Sequence, residues 1–167
     1  MRIFVLVTLL TASAFAQTAP VALTGACGPK NVSFKVSLNE SQHDVATPEP
    51  GKALVYFIHD AGTNWNVRYP TLKVALDGAW VGASHGNSYF PVSVEPGEHH
   101  LCVMLQSSAA SGLELAHFTA AADTVYYYRT RLFYSTGLSM LELAPVDTDQ
   151  AKYLIASFPM AVASPKK

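Results

Sequence analysis

The sequence predicts an all-β protein: an immunoglobulin-like β-sandwich with a short C-terminal helix. Three observations carry this. Short segments rich in Val, Tyr, Phe and Thr, many of them alternating apolar and polar residues, recur from Val32 to Leu143. Turn residues such as Asp77-Gly78, Pro96-Gly97 and Ser135-Thr136-Gly137 separate them, at the spacing of roughly eight to twelve residues typical of sandwiches. Only the segment from Asp147 reads as a helix.

In chain order, Val32, Phe34, Val36 and Leu38 fall on one face of a half-buried strand. Thr47-Pro48-Glu49-Pro50-Gly51 is a linker or turn. Ala53 to His59 is apolar on both faces, as a central strand is. Asp60 to Pro70 reads as a loop. Leu72, Val74 and Leu76 alternate up to Asp77-Gly78, and Ala79-Trp80-Val81 leads back. Asp-Gly between two such runs predicts a type I′ hairpin, because both central residues need positive φ. Gly82 to Asn87 is read as a second turn region. Ser88 to Val94 is a strand whose Pro91 cannot donate to a ladder, so it lies at an edge or bulges there. After the Glu95-Pro96-Gly97-Glu98 turn come strands over His99 to Gln106 and Leu113 to Ala122, with a small-residue loop between.

Thr124 to Tyr134 is strongly β in composition. Its even set, Tyr126, Tyr128, Thr130, Leu132 and Tyr134, looks like the core face. Its odd set places Tyr127, Arg129, Arg131 and Phe133 on the outer face. Arg and Tyr are enriched at recognition hot spots, and Arg stacks on aromatic rings. These four residues form a candidate binding face; the alternative is a solvated strand face with arginine stems covering apolar surface. Leu138 to Leu143 returns. Asp147-Thr148-Asp149 then opens a helix that ends near Phe158-Pro159.

The N-terminus reads as an export signal. Arg2 precedes the apolar run Ile3 to Leu10, and Ala14-Phe15-Ala16 is an A-x-A cleavage pattern, so the mature chain begins at Gln17. Residues 1–16 are thus the signal, 17–49 an N-terminal segment with one strand, and 50–160 the sandwich domain. The apolar run falls well short of the ~20 residues that span a bilayer, so no transmembrane span is expected after cleavage. Leu23-Thr24-Gly25-Ala26-Cys27 is a poor lipobox, with Thr24 where a large aliphatic residue belongs; a lipid anchor on Cys27 is the alternative.

Cys27 and Cys102 are the two cysteines. In an exported chain a pair suggests one disulfide, with two free thiols or an intermolecular bridge as the rival readings. Their isolation excludes the CxxC spacing of a zinc or redox site. At 167 residues the chain has a one-domain length. It is 50% hydrophobic and 14% charged, with a net charge of -1. That excludes disorder and gives no electrostatic reason to expect nucleic acid.

Phosphate-binding glycine motifs, a nucleophile elbow and a paired-His zinc helix are absent from the sequence. No catalytic residue, metal ligand set or cofactor is therefore assigned. Of His43, His59, His85, His99, His100 and His117, the neighbours His99 and His100 point to opposite faces of a strand. His117 on the next strand can join one of them, which leaves two ligands and no third.

Four motifs remain: the opening Gly51-Lys52-Ala53-Leu54-Val55-Tyr56-Phe57, then Leu76-Asp77-Gly78-Ala79-Trp80-Val81-Gly82, Tyr89-Phe90, and Val94-Glu95-Pro96-Gly97-Glu98-His99. Through them residues 50–145 resemble a bacterial envelope family catalogued as domain of unknown function 2846. The hairpin and turn are also similar to short surface-layer-type modules built around Leu-Asp-Gly and Pro-Gly-x-His. The resemblance implies an exported or lipid-anchored β-sandwich without assigned activity, and no functional residue is carried over. The expected function is a non-catalytic binding or structural module of the cell envelope, periplasmic or extracellular, whose partner is an envelope protein or glycan. The alternatives are a histidine-based metal enzyme and a lipid or glycan carrier.

Overall fold

The computed structural model describes residues 27–29, 31–43, 45–62, 70–106, 112–135 and 138–166. The signal expected at 1–16 and the leader up to Ala26 lie outside the described residues, as do parts of the loops after Asp60, Gln106 and Ser135. In chain order the elements are β1 (Phe34–Asn39), β2 (Ala53–Asp60), β3 (Thr71–Leu76), β4 (Ala79–His85), β5 (Ser88–Val94), β6 (Gly97–Leu105), β7 (Leu113–Ala120), β8 (Val125–Ser135), β9 (Leu138–Pro145), α1 (Thr148–Ser157) and β10 (Met160–Pro165).

The fold is an all-β sandwich with one short helix near the C-terminus. A six-stranded sheet, ordered β1-β10-β5-β2-β8-β9, faces a four-stranded sheet, ordered β4-β3-β6-β7. β2 runs parallel to β8 and β10 parallel to β5; the other pairs are antiparallel. Between the sheets, Val55, Phe57, Leu72, Val74, Phe90, Leu101, Val103, Tyr128 and Leu132 make the main core. A second core lies on the outer face of the larger sheet, where Leu54, Tyr56, Ile58, Tyr89 and Tyr127 meet Ala151, Leu154 and Ile155 of α1. Two cores explain why β2 is apolar on both faces: its alternate residues serve different layers.

Local chemistry sets the elements. Asp77 and Gly78 have φ of 51° and 82°, as the predicted hairpin turn needs. The Asp147 carboxylate caps α1 by accepting from the N–H groups of Asp149 and Gln150. The buried residues Ala151, Leu154 and Ile155 fall at helical spacing, and fully burying each of the two larger ones contributes about 1.5–3 kcal/mol.

One reading is corrected. β4 continues through Gly82 to His85 instead of turning there: Val81 of β4 is the extra residue of a bulge opposite the Val74–Ala75 step of β3, and the ladder stays paired on both sides of it. α1 ends where expected, with Phe158 as its C-cap, and a strand that the sequence pattern did not reveal follows: β10 pairs with β1 along the whole of both strands. β1 and most of β10 fall outside the span 50–160, yet both are strands of the larger sheet. Pro91 has its neighbour Tyr56 on β2, while β10 meets β5 only at Met160 and Tyr89. Tyr89 donates its N–H to Pro159 on that side, so Pro91, two residues on, turns its missing donor toward the opening between the strands.

Candidate functional site

α1 lies across the outer face of the six-stranded sheet, and what it leaves uncovered defines the candidate face. Tyr127, expected on the outer binding face, is only 7% exposed. Its ring stacks on Tyr56 at 5.6 Å beneath the helix. This corrects the expectation: the apolar side of α1 needs an apolar platform, and Tyr127 with Leu54, Tyr56 and Ile58 supplies it. Burial, and then the neighbouring Tyr56, push the Tyr127 hydroxyl pKa up. Of the even set, Tyr128 and Leu132 lie in the main core and Tyr126 packs against it, as expected; the side chain of Tyr134 lies outside the described residues.

Further along β8, Arg129, Arg131 and Phe133 are partly exposed. The Arg131 guanidinium sits 4.7 Å from the Phe133 ring centroid and its Nε 4.0 Å from Asp60 Oδ2. The β9 residues opposite Arg129, Arg131 and Phe133 are Ala144, Glu142 and Met140. Met140 is 55% exposed. Two arginines, two carboxylates, an aromatic ring and a thioether therefore share one surface with little net charge. Such a surface suits recognition; it has no buried acid–base pair.

On the smaller sheet, Cys27 is disulfide-bonded to Cys102 of β6 across a sequence separation of 75, with Cα atoms 5.2 Å apart. The bond holds the N-terminal segment against the outer face of that sheet. There the Lys73 ammonium donates to the Val32 carbonyl at 2.7 Å and lies 4.1 Å from the Trp80 ring centroid. Trp80 in turn donates Nε1–H to the Pro29 carbonyl at 2.8 Å. Lys73 is 3% exposed, and desolvation pulls its pKa down. Its alternation on β3 suggests an exposed lysine; the covering segment, which the sequence pattern does not reveal, buries it.

The histidines separate into distinct environments. His43 has Nε2 2.7 Å from the Glu40 carbonyl and Nδ1 3.1 Å from the Phe158 carbonyl. His99 has Nδ1 2.7 Å from Asp77 Oδ2 and Nε2 2.7 Å from the Glu95 carbonyl. In both rings each nitrogen faces an oxygen that only accepts, so only the imidazolium satisfies both. The pKa of His43 is raised, first by the Glu40 carbonyl, against some desolvation. Partial burial lowers that of His99, but Asp77 and the Glu95 carbonyl outweigh it and the net shift is upward. His59 is the opposite case: it is 1% exposed, and neither ring nitrogen has a hydrogen-bond partner. Burial, with a smaller push from His85, lowers its pKa to about 3. Its place in the inward set of β2, after Ala53, Val55 and Phe57, is the sequence signal that marks it as buried. Among the described residues no three His, Cys, Asp or Glu side chains converge on a common point.

A cleft of about 320 Å³ opens where β10 diverges from β5, lined by Val81, Gly82, Phe90, Pro91 and residues 160–163. Its lining carries no ionisable side chain. Among the described residues no helix is long and apolar enough to cross a membrane. No family model, no curated protein and no solved structure matches this chain.

Proposed function

We propose that the chain is an exported, non-catalytic binding module of the bacterial cell envelope, and that its partner is an envelope protein. Export rests on the Arg2, Ile3–Leu10 and Ala14-Phe15-Ala16 pattern, and the envelope setting on the resemblance of residues 50–145. The observation that carries the binding reading is the part of the larger sheet left uncovered by α1. There Arg131 stacks on Phe133 beside the exposed Met140. Arg, aromatic residues and Met are the types enriched at protein interfaces.

The test is site-specific photo-crosslinking in the native host. A photoreactive residue replaces Met140 in one variant and Tyr153, exposed on α1, in another. The proposal expects a discrete protein adduct from position 140 that disappears with Arg131→Glu and is absent from position 153. Equal adducts from both positions, or adducts only to glycan, would reject a protein partner at this face. Cell fractionation with N-terminal sequencing checks export, which requires a mature chain starting at Gln17 outside the cytoplasm.

A further inference from the structure

β6 and β7 pair without a break from Gly97 opposite Ala120 to Met104 opposite Leu113, and this register sets His100 directly across from His117. The N–H of His100 donates to Asp77 Oδ1 at 2.8 Å, and its carbonyl accepts from the Asp77 N–H at 2.9 Å. Both backbone groups therefore face β3. In an antiparallel ladder the two backbone groups of one residue point the same way, so toward β7 His100 forms a non-hydrogen-bonded pair. That is the closer of the two pair types, with Cβ atoms about 4.5–5.5 Å apart. The neighbours Leu101 and Val103 point into the main core. Strand alternation thus puts His100, with Cys102, on the outer face of the four-stranded sheet, and His117 beside it.

Two imidazoles at this spacing can each turn one nitrogen toward a shared ion, at the Zn–N distance of roughly 2.0–2.1 Å. We propose that His100 and His117 form a two-imidazole site for a divalent transition-metal ion of the Zn²⁺ type. No third His, Cys, Asp or Glu among the described residues completes the set. The remaining coordination positions are open to water or to a ligand from a second molecule. The frame beneath is rigid: Asp77 clamps the backbone of His100 on one side, and the Cys27–Cys102 bond anchors the strand two residues on. His99, held by Asp77 and the Glu95 carbonyl, points to the other face and takes no part.

The experiment is calorimetric titration of the untagged, oxidised exported chain with Zn²⁺ alone. One ion per chain is expected. His100→Ala and His117→Ala each weaken binding by more than about tenfold, since removing even an outer partner of a ligand costs that much. His85→Ala, at an exposed position at the end of β4, leaves binding unchanged. A cooperative urea transition in each variant shows that the fold is retained. Failure of the parent chain to take up zinc, or uptake by either single variant equal to that of the parent, overturns the proposal.

Discussion

Replacing His59 by leucine converts a pH-sensitive core into an insensitive one. In the folded chain both ring nitrogens of His59 lack partners, and the pKa lies at about 3; in the unfolded chain it returns to about 6.5. Between these values the unfolded state binds more protons, so stability rises with pH. The contribution is complete above about pH 6.5 and is lost as pH falls toward the folded value, roughly 5 kcal/mol over the whole interval. At about pH 5 the loss is roughly 2 kcal/mol. Leucine is close to histidine in volume and removes a buried, unsatisfied polar ring, so His59→Leu is neutral or stabilising at about pH 8. Urea unfolding of the oxidised protein and the variant, at about pH 5 and about pH 8, gives a double difference. The expected advantage of the variant is roughly 2 kcal/mol larger at the lower pH. Contributions from His43 and His99 occur in both proteins and cancel. Parallel pH profiles would refute the reasoning, because they would mean that His59 takes up its proton inside the fold as readily as outside.

Three other outcomes follow from the same geometry. Replacing both Cys27 and Cys102 by serine should lower stability by about 4 kcal/mol, the loop entropy for a separation of 75 residues. It should also loosen the segment over Trp80, read as a red shift in tryptophan emission. Asp77→Asn should lower the pKa of His99 in an NMR titration. The stability from this pair is complete below the unfolded pKa of about 6.5 and is lost as pH rises through the raised folded value, so the variant should lose about 0.5–1 kcal/mol more at about pH 6 than at about pH 8. Gly82→Ala would bring a Cβ to 2.5 Å from Cε2 of Phe90, so it should cost about 1–3 kcal/mol in urea unfolding. Combining it with Phe90→Leu should recover part of that loss, and simple additivity of the two changes would argue against the contact.

Much of the architecture was legible in the chain because strand alternation, Asp-Gly turn chemistry and helix capping act over a few residues. β2, β3, β8 and α1 follow these local rules closely, and the both-face apolar run of β2 correctly marked a central strand. The pairing of Cys27 with Cys102 was legible as one of three alternatives, and only proximity in the fold selects it. β10 escaped because Met160-Ala161-Val162-Ala163 is short and weakly patterned; its strand state comes from hydrogen bonds to β1, which lies at the opposite end of the sequence. Period two shows that Tyr127 and Arg131 share a face, but not that α1 covers one and spares the other. Likewise the sequence placed His117 on the strand beside His99 and His100, and only the register of β6 against β7 joins it to His100. Alternation is a property of one strand read alone. Which strands become neighbours, and which faces a helix or a disulfide-tethered segment covers, depends on contacts between distant residues, and those exist only in the tertiary structure.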